Sequence, residues 1–169
     1  MGGGILPIAK NDGFYYVLLS RESLDIKWKE SGKWSDFGGS KEGNETEYET
    51  AIREGTEETS GIYGKAKNIK YMIDTNTLCV IKVYNYSTYL ISVNYNPMIS
   101  YRFSKIYNKA LRYTPELVLN TSNGLYEKDK IRWVKVDDLN TFSTHSRFWF
   151  KPIMMQIYNR FNSKNKNSF

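Results

Sequence analysis

Three glutamates constrain this chain more than any other sequence feature. Glu54, Glu57 and Glu58 stand at positions i, i+3 and i+4, so on a helix their carboxylates share one face. Three like charges in one patch repel one another and weaken an isolated helix. A divalent cation among them would offset that repulsion, because carboxylate oxygens are the hard ligands that Mg²⁺ and Mn²⁺ prefer. A solvated acidic face without metal is the other interpretation, and most glutamate clusters are of that kind.

The residues around these glutamates follow a fixed spacing. Their order along the chain is Gly39, five residues, Glu45, seven residues, Arg53-Glu54, two residues, and Glu57-Glu58. This pattern resembles the Nudix box, and the resemblance covers the 23 contiguous residues 39–61. Viral decapping enzymes and hydrolases of diphosphoinositol polyphosphates in this superfamily have similar boxes. An acidic helix unrelated to the superfamily would require the spacing to match by accident.

The resemblance continues outside the box. Residues 34–39 resemble the strand and loop that lead into it, and residues 132–134 with 137–139 resemble the last strand and the start of the next helix. Nearly the whole chain can therefore be placed on a Nudix domain. The resemblance implies the α/β class, with an α/β/α sandwich around a mixed β-sheet. We expect one domain over residues 1–162 and a polar tail over 163–169.

Hydrophobic periodicity and turn residues predict the elements of this fold. A hairpin is predicted from residues 4–9 and 13–19, and a helix from about Thr46 to Thr59 with Asn44 or Thr46 as its cap. Residues 98–125 are ambiguous, because an apolar helical face over 99–110 is followed by Pro115 and Gly124. The remaining predicted elements are strands at 34–37, 69–74, 78–93 (with a bend or a hairpin near Asn85) and 131–136, and a helix at about 147–162.

Two positions depart from the Nudix box. Gly55 stands where the family usually has a bulky aliphatic residue, and a glycine inside a helix costs about 1 kcal/mol relative to alanine. Both Thr59 and Ser60 precede Gly61, where the family has one residue before a glycine. Either the loop is one residue longer, or Ser60 replaces the glycine. Both departures leave the three glutamates in register.

The resemblance implies a role for each box residue. Glu54, Glu57 and Glu58 would bind the catalytic Mg²⁺ or Mn²⁺, together with the backbone carbonyl of Gly38. Arg53 would pair with a box carboxylate and fix its orientation, and Glu45 would support it. The general base in this family is a box glutamate or a residue on a later loop. Glu127 and Asp129, just before the predicted strand at 131–136, are the loop candidates, with an exposed structural role as the alternative.

The implied function is that of a Nudix hydrolase acting on phosphorus-containing acid anhydrides. Metal ions would neutralise a diphosphate and activate a water molecule that attacks phosphorus. The box does not specify the substrate, so a nucleotide, the 5′ cap of RNA (and thus mRNA decapping) and a diphosphoinositol polyphosphate all remain open. The competing hypothesis is a non-catalytic Nudix-fold module that binds a nucleotide or RNA. Retention of all three box glutamates favours the enzyme.

Charge is unevenly distributed along the chain. Residues 1–99 have a net charge of −2 and residues 100–169 a net charge of +8. A basic half favours a polyanionic partner such as RNA or a phosphorylated small molecule, although surface lysines that keep the protein soluble would look the same. Aromatic residues accompany four of the basic ones within residues 101–113. The basic residues, which make a candidate phosphate-facing element, are Arg102, Lys105, Lys109 and Arg112.

Several residue types limit the alternatives. The chain has one cysteine, Cys79, which excludes an internal disulfide, and one histidine, His145, which does not make a hydrolytic triad. No apolar run approaches the roughly 20 residues of a membrane span, and the first residues lack the pattern of a signal peptide. We therefore expect a cytoplasmic protein without a membrane partner. Three tryptophans could stack on a nucleobase: Trp28, Trp34 and Trp133.

Overall fold

The computed structural model describes residues 1–24, 29–120 and 124–163. Trp28 lies outside the described residues. So does the predicted polar tail at 163–169, except for Ser163. No helix in the described ranges has the length and apolar character needed to cross a membrane.

One mixed sheet of seven strands forms the centre of the molecule as described. β1 runs parallel to β6 and antiparallel to β2 and β4. β2 also pairs with β3 and β7, and β5 pairs with β6; these three pairings are antiparallel. The strands are β1 (Gly2–Asn11), β2 (Phe14–Glu22), β3 (Trp34–Ser35), β4 (Phe37–Ser40), β5 (Thr77–Val83), β6 (Tyr86–Ser92) and β7 (Lys128–Lys135).

Helices cover both faces of this sheet. On one face, Ile5 of β1 belongs to a buried cluster with Ala51 and Phe103; on the other, Leu19 of β2 belongs to a cluster with Ile153. The expected α/β/α sandwich with a mixed sheet is therefore confirmed. The helices are α1 (Glu47–Glu58), α2 (Ala66–Asn76), α3 (Ile99–Tyr113), α4 (Pro115–Leu119), α5 (Leu139–Phe142) and α6 (Lys151–Phe161).

Most predicted elements match the structure. The first hairpin turns at Asp12 and Gly13, both with positive φ, and the long apolar segment at 78–93 is the β5–β6 hairpin around Asn85. The ambiguous segment at 98–125 contains α3, whose buried Phe103 and Ala110 lie on the predicted apolar face, and then the short α4.

The strand predicted at 69–74 is wrong, because this segment lies within the helix α2. Ile69 and Ile73 stand four residues apart and are the two buried residues of the helix, while Lys70 and Tyr71 between them are exposed. That i, i+4 spacing is the helical period. β-branched residues favoured a strand by propensity, and packing of one helical face against the sheet overrode it.

A glycine run at the start of β1 sets the position of α1. A Cβ atom added to Gly3 would lie 2.1 Å from the carbonyl oxygen of Glu47, so only glycine allows α1 to pack directly on the strand. Ala51, one turn further along α1, is fully buried in the same interface. This close approach fixes the helix that carries the three glutamates, and the sequence analysis did not identify it.

Candidate active site

A capping box determines where α1 begins. The hydroxyl of Thr46 accepts a bond from the Glu49 amide at 3.2 Å, and the Thr46 amide donates to Glu49 Oε2 at 2.8 Å. Of the two predicted caps, Asn44 and Thr46, the structure shows Thr46. The helix then runs without interruption to Glu58, which brings Glu54, Glu57 and Glu58 to one end of the sheet next to β4 and β7.

Arg53 binds three carboxylates at once. Its Nε lies 2.9 Å from Glu45 Oε1, and its Nη1 lies 2.9 Å from Glu54 Oε1 and 3.1 Å from Glu57 Oε2. Its Nη2 donates to the carbonyl of Ser40 at 2.9 Å, which ties the helix to β4. We call Arg53, Glu45, Glu54 and Glu57 the arginine cluster. Its guanidinium holds the pKa of Glu45 down at about 2.

The glycine pair in the middle of β4, Gly38 and Gly39, makes room for this cluster. A Cβ on Gly39 would lie 2.3 Å from Glu54 Oε1, and a Cβ on Gly38 would lie 2.1 Å from the hydroxyl of Tyr86. Any side chain at either position would therefore displace a neighbour. The close approach brings the backbone of β4 into contact with the carboxylate of Glu54. Beneath the pair, Tyr86 donates to the buried Asp36, whose pKa is raised by burial to about 6.

A second cluster of charges is buried behind the first. Lys128 Nζ bonds to Glu22 and lies 3.1 Å from Glu58 Oε1, and Arg147 Nη1 lies 3.0 Å from Glu22 Oε1. We call Lys128, Glu22, Glu58 and Arg147 the lysine cluster. No local sequence pattern predicts Lys128, Glu22 and Arg147 as site residues, since each belongs to a different segment. Only strand pairing of β2 with β7 places Glu22 opposite Lys128.

The lysine cluster contains two cations and two carboxylates, and Glu58 contacts one of the cations, Lys128. Burial lowers the pKa of Lys128, but the carboxylates of Glu58 and Glu22 together have a larger, opposite effect. The net pKa is raised, so the ammonium stays charged. Burial raises the pKa of Glu58 well above its usual value, and Glu22 and Glu54 add to this increase. Its Oε2 is buried and has no hydrogen-bond partner. A buried carboxylate oxygen without a donor is unfavourable unless a cation approaches it.

The pKa values of the other two box carboxylates, Glu54 and Glu57, are also raised. Burial raises the pKa of Glu54 to about 7; Arg53 opposes this increase, and Glu57 and Glu127 add to it. Burial likewise raises the pKa of Glu57, with Glu127 again contributing. Of the two loop candidates, Glu127 thus lies within electrostatic reach of the box, whereas Asp129 accepts two bonds from Arg21 at 2.8 Å.

The donor set fits a divalent cation in its chemistry. Glu54, Glu57 and the unpartnered Oε2 of Glu58 supply hard oxygen ligands and an excess of negative charge. They do not form a ready ligand shell, since no three His, Cys, Asp or Glu side chains in the described ranges 1–24, 29–120 and 124–163 are arranged to hold a metal ion. Arg53 instead bonds to two of the three carboxylates, so a bound ion would have to share them with it or displace it.

The two departures from the box have structural explanations. A Cβ on Gly55 would lie 2.9 Å from Ile5 Cδ1 and 3.2 Å from Ile69 Cγ2, so side chains of β1 and α2 fill the space that an aliphatic residue would occupy. Ser60 has a φ of 51°, the left-handed conformation that usually follows a helix end and that favours glycine. Gly61 also has a positive φ, 78°, so two left-handed residues in a row follow the helix.

Other residues considered from the sequence lie in different surroundings. Trp34 is buried against Phe142, so it offers no free face for a nucleobase. Trp133 is half-buried, its ring contacts Tyr95 and its Nε1 donates to the carbonyl of Asn96 at 2.9 Å. The four basic residues of the candidate phosphate-facing element all lie exposed on α3.

Comparison with known proteins supports the fold. No protein-family model matches the sequence, and no curated protein matches it. Among solved structures, the chain is similar to a C. elegans Ap4A hydrolase in a binary complex, with 16% identity, a TM-score of 0.52, and 99% of this chain and 98% of that chain covered. It is also similar to the Nudix domain of Shewanella oneidensis NrtR complexed with ADP ribose, with 14% identity, a TM-score of 0.51, and 94% and 86% covered.

These similarities establish that the chain has the Nudix fold. The agreement extends along nearly the full length of both chains, which includes the sheet, the helix α1 and the elements that follow. Identity at this level reports the fold alone, so the reaction and its substrate are inferred from the residues described above.

Proposed function

We propose that this chain is a Nudix hydrolase that cleaves a phosphoanhydride bond with the help of a divalent cation. The observation that carries the proposal is the charge imbalance at the box. The pKa values of Glu54 and Glu57 are raised although both carboxylates bond to Arg53. One carboxylate oxygen of Glu58 is buried and has no hydrogen-bond donor. Mg²⁺ or Mn²⁺ would be held by Glu54, Glu57 and Glu58, with the Gly38 carbonyl as a further ligand.

Each residue of the site has a defined task in this proposal. When bound, the cation would neutralise the diphosphate and lower the pKa of a water molecule. Arg53 orients Glu54 and Glu57 and anchors them to β4 through Ser40. Glu127 is the candidate general base, because it lies within electrostatic reach of both glutamates and burial raises its pKa above the usual value of a glutamate.

The substrate is proposed only as a class: a nucleotide, an RNA 5′ cap or a diphosphoinositol polyphosphate. The two structural neighbours bear on the first of these, since one is an Ap4A hydrolase and the other binds ADP ribose. The net charge of +8 in residues 100–169 supports a highly phosphorylated substrate or contact with RNA. A cytoplasmic location would give access to each class.

A non-catalytic nucleotide- or RNA-binding module is the second candidate. The observation in its favour is Lys128, which places a buried ammonium 3.1 Å from Glu58 and so compensates part of the charge that would otherwise attract a metal ion. Such a module would bind phosphorylated ligands without hydrolysing them.

A hydrolysis panel distinguishes the two candidates. The protein is incubated with capped RNA, nucleoside triphosphates, ADP-ribose, Ap4A and a diphosphoinositol polyphosphate, each with Mg²⁺, with Mn²⁺ and with EDTA. The hydrolase proposal predicts cleavage of at least one substrate that stops in EDTA. If folded protein binds a panel member by calorimetry but cleaves none of them with either metal, the binding module is the correct assignment.

A further inference from the structure

A cavity separate from the glutamates opens between α2, α3 and the segment that follows α1. Its volume is about 740 Å³, within the range of about 300–1,000 Å³ that is typical of small-molecule sites. The residues that line the cavity include Gly61, Tyr63, Asn76, Asn94, Arg102 and Lys105.

The charged groups of this cavity are all positive. Arg102 and Lys105 lie one turn apart on α3, and no aspartate or glutamate lines the cavity in the part of the chain that the structure describes. Neither residue makes a salt bridge to a described carboxylate. Guanidinium and ammonium groups without acidic partners are the usual ligands of phosphate oxygens.

The neutral polar groups of the wall also suit an anion. Asn76 and Asn94 present side-chain amides, which can donate to phosphate oxygens. Tyr63 also lines the cavity, but its hydroxyl is buried from solvent and so does not reach a ligand there.

One wall residue of the cavity lies close to the box glutamates along the chain. Gly61 follows Glu57 by four residues, so their Cα atoms can be no more than about 15 Å apart. Lys109 and Arg112 lie further along the same helix and do not line it.

We infer that this cavity binds a phosphate group, with Arg102 and Lys105 as its ligands. The inference does not depend on the proposed function, because binding to the cavity does not require catalysis. The phosphate could belong to a polyphosphate chain, to an RNA backbone or to a phosphorylated inositol, and the experiment separates these sources.

The test measures binding by calorimetry in EDTA, where no hydrolysis occurs. The probes are inorganic tripolyphosphate, a 5′-phosphorylated ten-nucleotide RNA and inositol hexakisphosphate. The double variant Arg102→Gln/Lys105→Gln is compared with Lys109→Gln/Arg112→Gln, which removes the same charge from the same helix outside the cavity. We expect the first variant to raise Kd about tenfold or more for the probe that binds best, and the second to raise it less than about threefold.

Three outcomes would overturn the inference. The first is equal weakening of binding by the two double variants, which would indicate only an effect of general surface charge. The second is unchanged binding by the first variant. The third is no binding of any probe to the wild-type protein. Thermal unfolding monitored by circular dichroism confirms that both variants fold. If the cavity binds as expected while the hydrolysis panel is negative, the proposed function fails and the cavity assignment remains.

Discussion

The arginine cluster and the lysine cluster differ in their access to water. Side chains of the first are 11% (Glu54) to 27% (Glu57) exposed, whereas those of Lys128, Glu22 and Glu58 in the second are 1% exposed and its Arg147 is 19% exposed. Charges at a wet surface exchange partners at little free-energy cost, but buried charges depend on one fixed partner. The difference indicates that the arginine cluster can rearrange around a ligand while the lysine cluster holds Glu58 in place.

The largest expected effect is on the lysine cluster. Lys128→Met should lower the free energy of unfolding by about 3–5 kcal/mol, because it leaves the buried carboxylates of Glu58 and Glu22 without their shared cation. Urea denaturation measures the change. Lys130→Met, an exposed lysine on the same strand, is the control and should change stability by less than about 0.5 kcal/mol. A loss below about 1 kcal/mol for Lys128→Met would mean that the two clusters do not differ as described.

A second variant tests the arginine cluster. Glu57→Gln should reduce metal-dependent turnover about 100-fold or more, since it removes a charged ligand from the proposed cation site. Because Glu57 is partly exposed, stability should change by less than about 1 kcal/mol. The matched control is Glu49→Gln on the same helix, which retains a residue suited to the capping box. Turnover near that of the wild type in Glu57→Gln would refute the assignment of this carboxylate.

The smallest effect should come from Gly55, which lies between Glu54 and Glu57 on α1 and packs against Ile5 and Ile69. Gly55→Ala gains about 1 kcal/mol in helix propensity but forces a methyl group to within 2.9 Å of Ile5 Cδ1, and overpacking costs about 1–3 kcal/mol. We expect a net loss of about 1 kcal/mol by thermal or urea unfolding.

The partner residue provides the control for that prediction. Ile5→Val removes the contacting Cδ1, so the Gly55→Ala loss should shrink or change sign in the Ile5→Val background. Additive effects of the two substitutions would show that this contact does not limit the position of α1.

Local patterns explain which parts of the molecule were predictable from the sequence. The candidate caps Asn44 and Thr46 and the i, i+3, i+4 glutamates lie within 15 residues, so α1 and its acidic face follow from spacing. The strand predicted at 69–74 is part of the helix α2, and only tertiary packing shows that Ile69 and Ile73 face the sheet together.

Long-range pairing explains what was missed in the site. Lys128 meets Glu22 and Glu58 because β7 lies beside β2 and α1 packs over the sheet, and nothing in the sequence near Lys128 signals this. Glu127 could be proposed only from its place before a strand. Its position near Glu54 and Glu57 needed the structure.

The parallel pairing of β1 with β6 has a consequence for how the chain folds during synthesis. β1 leaves the ribosome well before its parallel neighbour β6, with which it pairs from Gly2↔Tyr86 to Ile8↔Ser92. Such distant contacts require closure of a long loop, which slows folding relative to a protein with local contacts. The first hairpin can form early, but the glycine-rich end of β1 must wait for both α1 and β6 before the candidate active site can assemble.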